Sequence, residues 1–251
     1  MKNYTVKILQ QSKRQFSWNM PYICFILSVQ LEAMKVLWHY LLVGTFALGA
    51  CTSQQNNNDP LLNASHAEWE KNAPPISWIN VKTTKGEFTI ELHRDWAPRG
   101  VDRFYNLVRL GFYDDSRFYR VRKDFIVQFG IAGKPSIAQT WENVELTDDP
   151  VKESNKRGFI SFAMTGPDTR TTQVYINLKD NEQLDAQGFA PIGYVKEGME
   201  VVDAIYSEYD EAAGGGMRGG RQQKLFELGN AYLDKEFPNL DHLIEAEIIK
   251  P

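Results

Sequence analysis

Phe118–Gly130, FYRVRKDFIVQFG, is the stretch whose reading decides the fold. Its apolar residues Phe118, Val121, Phe125, Ile126 and Val127 are interrupted by one arginine, Arg120, and one amide, Gln128. Successive side chains of an extended strand face opposite sides. The pattern therefore predicts a strand pair, or one bent strand, with one face on a core and the other on an open groove. Arg120 and Gln128 are expected to share the groove face with Phe125 without being buried. The plainer alternative is an exposed arginine on a barrel strand.

The spacing of Phe118, Arg120, Phe125, Gln128 and Gly130, of the form F-x-R-x(4)-F-x-x-Q-x-G, resembles the signature of the cyclophilin family of peptidyl-prolyl isomerases. A second block, Gly158–Ile176, GFISFAMTGPDTRTTQVYI, is similar to the family's next core segment, with its turn at Gly166–Thr169 and the pair Gln173 and Tyr175. Gly193-x-Val195-x-x-Gly198-Met199 also has the family's form. The resemblance covers roughly residues 79–206 and implies a mainly-β fold, a closed antiparallel eight-stranded barrel capped by two helices. It implies that Arg120 is catalytic, that Phe125, Ile126, Tyr175 and Leu184 line a proline-ring pocket, and that Gln128 supports Arg120 and the substrate carbonyl. Ala163, Met164, Thr165 and Gln173 would bind flanking backbone, with Phe189 completing the substrate site where the family often has histidine. Other departures are Tyr119 for a frequent histidine, Arg122-Lys123-Asp124 for a segment with Pro-Gly, Phe129 for glycine, Met164 for a frequent asparagine and tyrosine for phenylalanine at 175. Gln183 stands where the family has a tryptophan, which puts sensitivity to cyclosporin-type ligands in doubt.

Outward from that centre, residues 78–83 and 87–92 alternate around Thr84-Lys85-Gly86 and predict a hairpin at the start of a domain spanning 76–251. Pro98 opens a helical pattern through Val101, Phe104, Tyr105 and Val108 that ends before Gly111. Residues 132–156 read as a surface excursion that shapes a groove. Further strands are expected over 159–163, 173–177 and 189–195, a second capping helix over 198–206, and a helical run over 222–237. Ile244, Ala246 and Ile248 alternate as a closing strand. Gly214–Gly219 satisfies G-x-G-x-x-G, but no apolar strand precedes it, so the insertion at 214–220 reads as a flexible loop, not a nucleotide site.

The chain has 251 residues with a net charge of −4, which gives no electrostatic case for nucleic acid. No repeat is visible. Met34–Ala50, MKVLWHYLLVGTFALGA, has the basic start, apolar run and small-residue end of a secretory signal. It is too short between its flanks for a permanent membrane span. Leu48-Gly49-Ala50-Cys51 resembles the lipobox of bacterial lipoproteins, which implies a lipidated Cys51 and a site in the cell envelope, outside the cytoplasm. Because that signal is complete in itself, Met34 is the expected start of translation; a long signal with an extra segment at 21–31 is the alternative. Residues 1–50 are then signal and upstream segment, and 51–75, with its Asn/Gln run, a lipidated flexible tether. Processing would leave one of the two cysteines, so the core and not a disulfide must hold the fold.

His66, His93 and His242 stand outside any metal-ligand or triad spacing, and G-x-S-x-G is absent. Rotation about an X-Pro bond needs no cofactor and no metal. The expected partners are unfolded or extended X-Pro polypeptides and a membrane through the lipid on Cys51, with the protein itself a monomer. A noncatalytic proline-peptide chaperone on the same barrel, and an envelope lipoprotein that contacts others through 132–156, are the competing readings.

Overall fold

A computed structural model describes residues 59–215 and 222–250. The signal segment, Cys51 and the glycine-rich positions 216–220 lie outside the described residues. Among the described residues nine strands follow one another as β1 (Ile76–Thr83), β2 (Gly86–His93), β3 (Ser116–Arg117), β4 (Arg120–Arg122), β5 (Ile126–Phe129), β6 (Phe159–Phe162), β7 (Val174–Asn177), β8 (Pro191–Glu197) and β9 (His242–Ile249). Among the described residues five α-helices accompany them: α1 (Pro98–Arg109), α2 (Pro135–Trp141), α3 (Met199–Asp203), α4 (Gln223–Leu228) and α5 (Asn230–Glu236).

The expectation of a closed eight-stranded barrel is corrected here. The strands form one sheet in the order β3-β9-β1-β2-β8-β6-β7-β5-β4, an open half-barrel with β3 and β4 at its edges. The two edges are consecutive in the chain, but Phe118 and Tyr119 between them pair with neither. The Phe118 N–H continues the β3–β9 register onto the Asp241 carbonyl, and the Val121 N–H, on the free edge of β4, is taken by the Asp210 carbonyl of a loop.

The predicted first hairpin is β1–β2, in register from Ile76↔His93 to Thr83↔Gly86. The predicted helix after Pro98 is α1, which buries Val101, Phe104, Leu107 and Val108. No side chain at its own N-terminus caps it. Instead the Asp149 carboxylate accepts from the Arg99 and Gly100 N–H groups at 3.1 and 2.8 Å, and from the buried Arg170 guanidinium at 3.2 Å.

Three other expectations change. Residues 132–156 are not wholly a surface excursion: they contain α2, whose Trp141 is buried and donates to the Leu61 carbonyl at 3.0 Å. Residues 59–75, read as the end of a tether, dock on the domain. Trp69 packs edge-on to Trp141 with ring centroids 4.4 Å apart, and the Ala73 N–H reaches Asp102 at 2.8 Å. The expected alternation of Ile244, Ala246 and Ile248 also breaks. A register shift opposite Lys82 and Thr83 turns Leu243 and Ala246 inward and leaves Ile244 exposed. Among the described residues no helix is long and apolar enough to cross a membrane.

Candidate active site

Within Phe118–Gly130, β4 and β5 form an antiparallel hairpin. Arg120 pairs with Gln128, Val121 with Val127, and Arg122 with Ile126. Its turn explains one departure from the signature: Asp124 takes a left-handed φ of 60°, the conformation a glycine would otherwise supply and one that aspartate tolerates. Gly130 closes the stretch at φ 105°, where a Cβ would lie 2.6 Å from the Thr172 carbonyl oxygen, so only glycine fits.

Register then assembles the site. Gln128 of β5 stands opposite Tyr175 of β7, and Tyr175 opposite Ser161 of β6. Arg120, Gln128, Tyr175 and Ser161 thus form one row across four strands, on the face away from the core. The row is buried all the same: Arg120 and Gln128 are each 5% exposed, against the expectation that they stay open. Burial is tolerated because their polar atoms are partnered.

Arg120 Nη1 donates to Gln128 Oε1 at 2.8 Å. The Gln128 amide in turn donates to Gln173 Oε1 at 3.0 Å and the Tyr119 hydroxyl at 3.2 Å. Tyr119 also donates to Gln173 Oε1, and Gln173 donates on to Gln222 at 3.2 Å. Gln128 and Gln173 each both accept and donate, which fixes the orientation of their amides. On its other side, Arg120 donates from Nε and Nη2 to a single oxygen of Glu211, at 3.2 and 2.7 Å. The guanidinium carbon sits 5.9 Å from the Phe125 ring centroid, with Arg122 at 5.5 Å from the same ring.

Beside this polar edge lies a small apolar cluster separate from the main core. Ile126, Tyr175 and Leu184 are its buried members, with Phe125, Ala163 and Phe189 packed against it. Tyr175 and Phe189 meet edge to face at 5.8 Å. Burial pushes the Tyr175 and Tyr119 phenols well above their ordinary value, so both are neutral hydrogen-bonding groups. Arg120, Phe125, Ile126, Gln128, Ala163, Met164, Thr165, Gln173, Tyr175, Leu184 and Phe189, all the site residues read from the sequence within the domain, line one groove of about 1030 Å³. Among the described residues no three His, Cys, Asp or Glu side chains gather as a metal site.

Residues 78–218 match the protein family described as Cyclophilin type peptidyl-prolyl cis-trans isomerase/CLD. The chain belongs to the cyclophilin family of peptidyl-prolyl cis-trans isomerases. It is 34% identical over 138 residues to a peptidyl-prolyl cis-trans isomerase of Acinetobacter baylyi, a match covering 51% of this chain and 70% of that one. It is 32% identical over 141 residues to peptidyl-prolyl cis-trans isomerase B of Escherichia coli, with coverage of 51% and 82%. The crystal structure of a Cryptosporidium parvum cyclophilin type isomerase superposes with a TM-score of 0.51 at 18% identity, over 70% of this chain and 99% of that one. The same protein was also solved in the presence of the dipeptide Ala-Pro, with a TM-score of 0.50.

Three residues of this cyclophilin's site were not singled out from sequence. Asn155 is fully buried beneath the apolar cluster. Its side-chain oxygen accepts from Tyr175 and Ser161, both at 3.0 Å, and its amide donates to Asp185 and the Phe189 carbonyl, both at 2.8 Å. It is the partner that the extra hydroxyl of Tyr175 requires. Gln222 lies beyond the stretch that matches the family, and Glu211 near its end, outside the short blocks that carried the resemblance. Nothing in the local pattern around these three marks them, because their role depends on where loops return to the sheet.

Proposed function

We propose that Arg120 is the group through which this isomerase lowers the barrier to X-Pro rotation. That barrier, roughly 18–20 kcal/mol, comes from delocalisation of the nitrogen lone pair into the carbonyl. As the bond twists, the prolyl nitrogen becomes pyramidal and regains its lone pair. A fixed cationic N–H donor near it stabilises the twisted state more than either planar one. The proline ring lies in the slot of Phe125, Ile126, Tyr175 and Leu184, with Phe189 at its edge. Gln128 holds the guanidinium and meets the substrate carbonyl, while Ala163, Met164, Thr165 and Gln173 take the flanking backbone.

One observation carries the assignment: Arg120 is a nearly buried guanidinium beside an apolar slot, and its three partnered donors leave one N–H on each terminal nitrogen without a partner among the described residues. The Ala-Pro dipeptide used with the Cryptosporidium relative is the ligand chemistry that such a slot suits. The expected result is that wild type accelerates a proline-limited refolding reaction and Arg120→Ala does not. Equal acceleration by both proteins would remove Arg120 from the mechanism.

The cellular setting is proposed from the leader-like sequence. Cleavage before Cys51 and lipidation there would place the domain on an envelope membrane outside the cytoplasm of a bacterium, as a monomer acting on unfolded secreted or envelope proteins. Metabolic labelling with a fatty acid should mark wild type and not Cys51→Ser. Labelling of both, or of neither, contradicts the anchor.

A further inference from the structure

The residues just before the glycine-rich insertion belong to no recognised motif, yet they are docked against the strand that carries Arg120. The Asp210 carbonyl accepts from the Val121 N–H at 3.3 Å. Ala213 is buried, and a Cβ on Gly214 would come within 2.9 Å of the Arg120 Cβ. Tyr209 anchors the segment from behind, edge-on to Phe237 at 5.2 Å. These contacts deliver the Glu211 carboxylate to the Nε and Nη2 edge of Arg120. The same oxygen lies 3.5 Å from Arg122, so one anion holds two guanidinium groups that share the Phe125 ring.

We infer that Glu211 is a positioning residue of the isomerase reaction, the second of two fixed points that aim Arg120 at the prolyl nitrogen. The inference rests on the reading of Arg120 given above. A guanidinium tied only to Gln128 pivots about that single hydrogen bond. Tied to Gln128 through Nη1 and to Glu211 through Nε and Nη2, its plane is set, and the two remaining N–H groups keep one direction. A nearby anion also weakens the positive field of Arg120, which opposes catalysis. Positioning outweighs this cost because a hydrogen bond to a reacting nitrogen depends steeply on angle, whereas the field of a screened charge changes gradually. Displacement of a catalytic group by about 1 Å can cost about 100-fold in rate.

The test is a set of turnover measurements on an X-Pro peptide with wild type, Glu211→Ala, Glu211→Gln, Arg120→Ala and the Arg120→Ala/Glu211→Ala double variant. Glu211→Ala should lower kcat about tenfold with KM changed less than about twofold, and Glu211→Gln, which keeps an oxygen acceptor, about threefold. In the Arg120→Ala background the Glu211 change should add nothing, because its effect passes through the missing guanidinium. A kcat at or above wild type in both Glu211 variants overturns the inference. So does a loss confined to KM, or one that adds in full to that of Arg120→Ala. Should Glu211→Ala fail to fold, Glu211→Gln, alone and combined with Arg120→Ala, decides the question by the same outcomes. Full activity of Arg120→Ala is a separate failure, that of the arginine reading beneath this one.

Discussion

Two adjacent rows of the same four strands have opposite fates. Val121, Val127, Ile176 and Ile160 stand opposite one another across β4, β5, β7 and β6, and each is at most 3% exposed within the main core. One residue along each strand, Arg120, Gln128, Tyr175 and Ser161 form the row that borders the groove. Both rows are buried, but one is closed by apolar packing and the other by hydrogen bonds. Burial therefore does not separate core from site here. What separates them is whether the buried side chain needs a specific partner.

That contrast can be broken by experiment. The largest expected effect is on the apolar row: Ile176→Ala should cost about 2–5 kcal/mol of stability in a denaturant titration. Its peptide KM should stay unchanged below the unfolding range. A weakened KM without lost stability would mean that the core row serves the site. Next, Leu184→Ala should raise the peptide KM about tenfold, because it removes apolar area that covers the proline ring, while stability falls less than for Ile176→Ala. Unaltered KM would place the ring elsewhere. Tyr175→Phe should lose about 1 kcal/mol through the hydrogen bond to Asn155 and keep its turnover, since the ring and not the hydroxyl faces the substrate.

A smaller, pH-dependent effect is expected at Glu91 of β2, which belongs to neither row. The Lys196 ammonium, with the Tyr194, His93 and Trp78 donors, holds the Glu91 carboxyl at about 2, below its ordinary 4.5, against the opposing effect of burial. A folded-state value below the unfolded one stabilises the protein fully above about pH 4.5 and is lost as the pH falls towards 2. Glu91→Gln should therefore be less stable than wild type at pH 7, and the gap should narrow between pH 4.5 and 2 in thermal unfolding. A gap independent of pH would show that the carboxylate's charge is not what stabilises.

The rows also show what a sequence can disclose. Alternation placed Val121 and Val127 on one face and Arg120 and Gln128 on the other, because strand geometry alone dictates it. The family resemblance assigned Tyr175, Leu184 and Phe189 to the same groove: strand register carries Tyr175 there, and the turn of helix at Glu182–Gln187 and the loop after it bring Leu184 and Phe189. The open edge at β4 was not legible: the N–H of Val121 that faces outward there is taken by the loop carbonyl of Asp210, which depends on where a distant segment returns. The burial of Trp141 and the docking of residues 59–75 were missed for a related reason. Polar composition describes what a segment can leave in water, and one or two tryptophans suffice to hold it to the domain. Asn155, Gln222 and Glu211 lie in segments without periodicity, where only the path of the chain decides who meets whom.

The most direct test measures exchange and binding in one sample: NMR exchange spectroscopy of an X-Pro peptide at substoichiometric protein, with a titration for Kd, on wild type and Arg120→Ala. The account predicts that cis–trans exchange catalysed by Arg120→Ala falls by about 100-fold or more while the peptide still binds within severalfold of wild type. Exchange as fast as wild type at equal occupancy would contradict it.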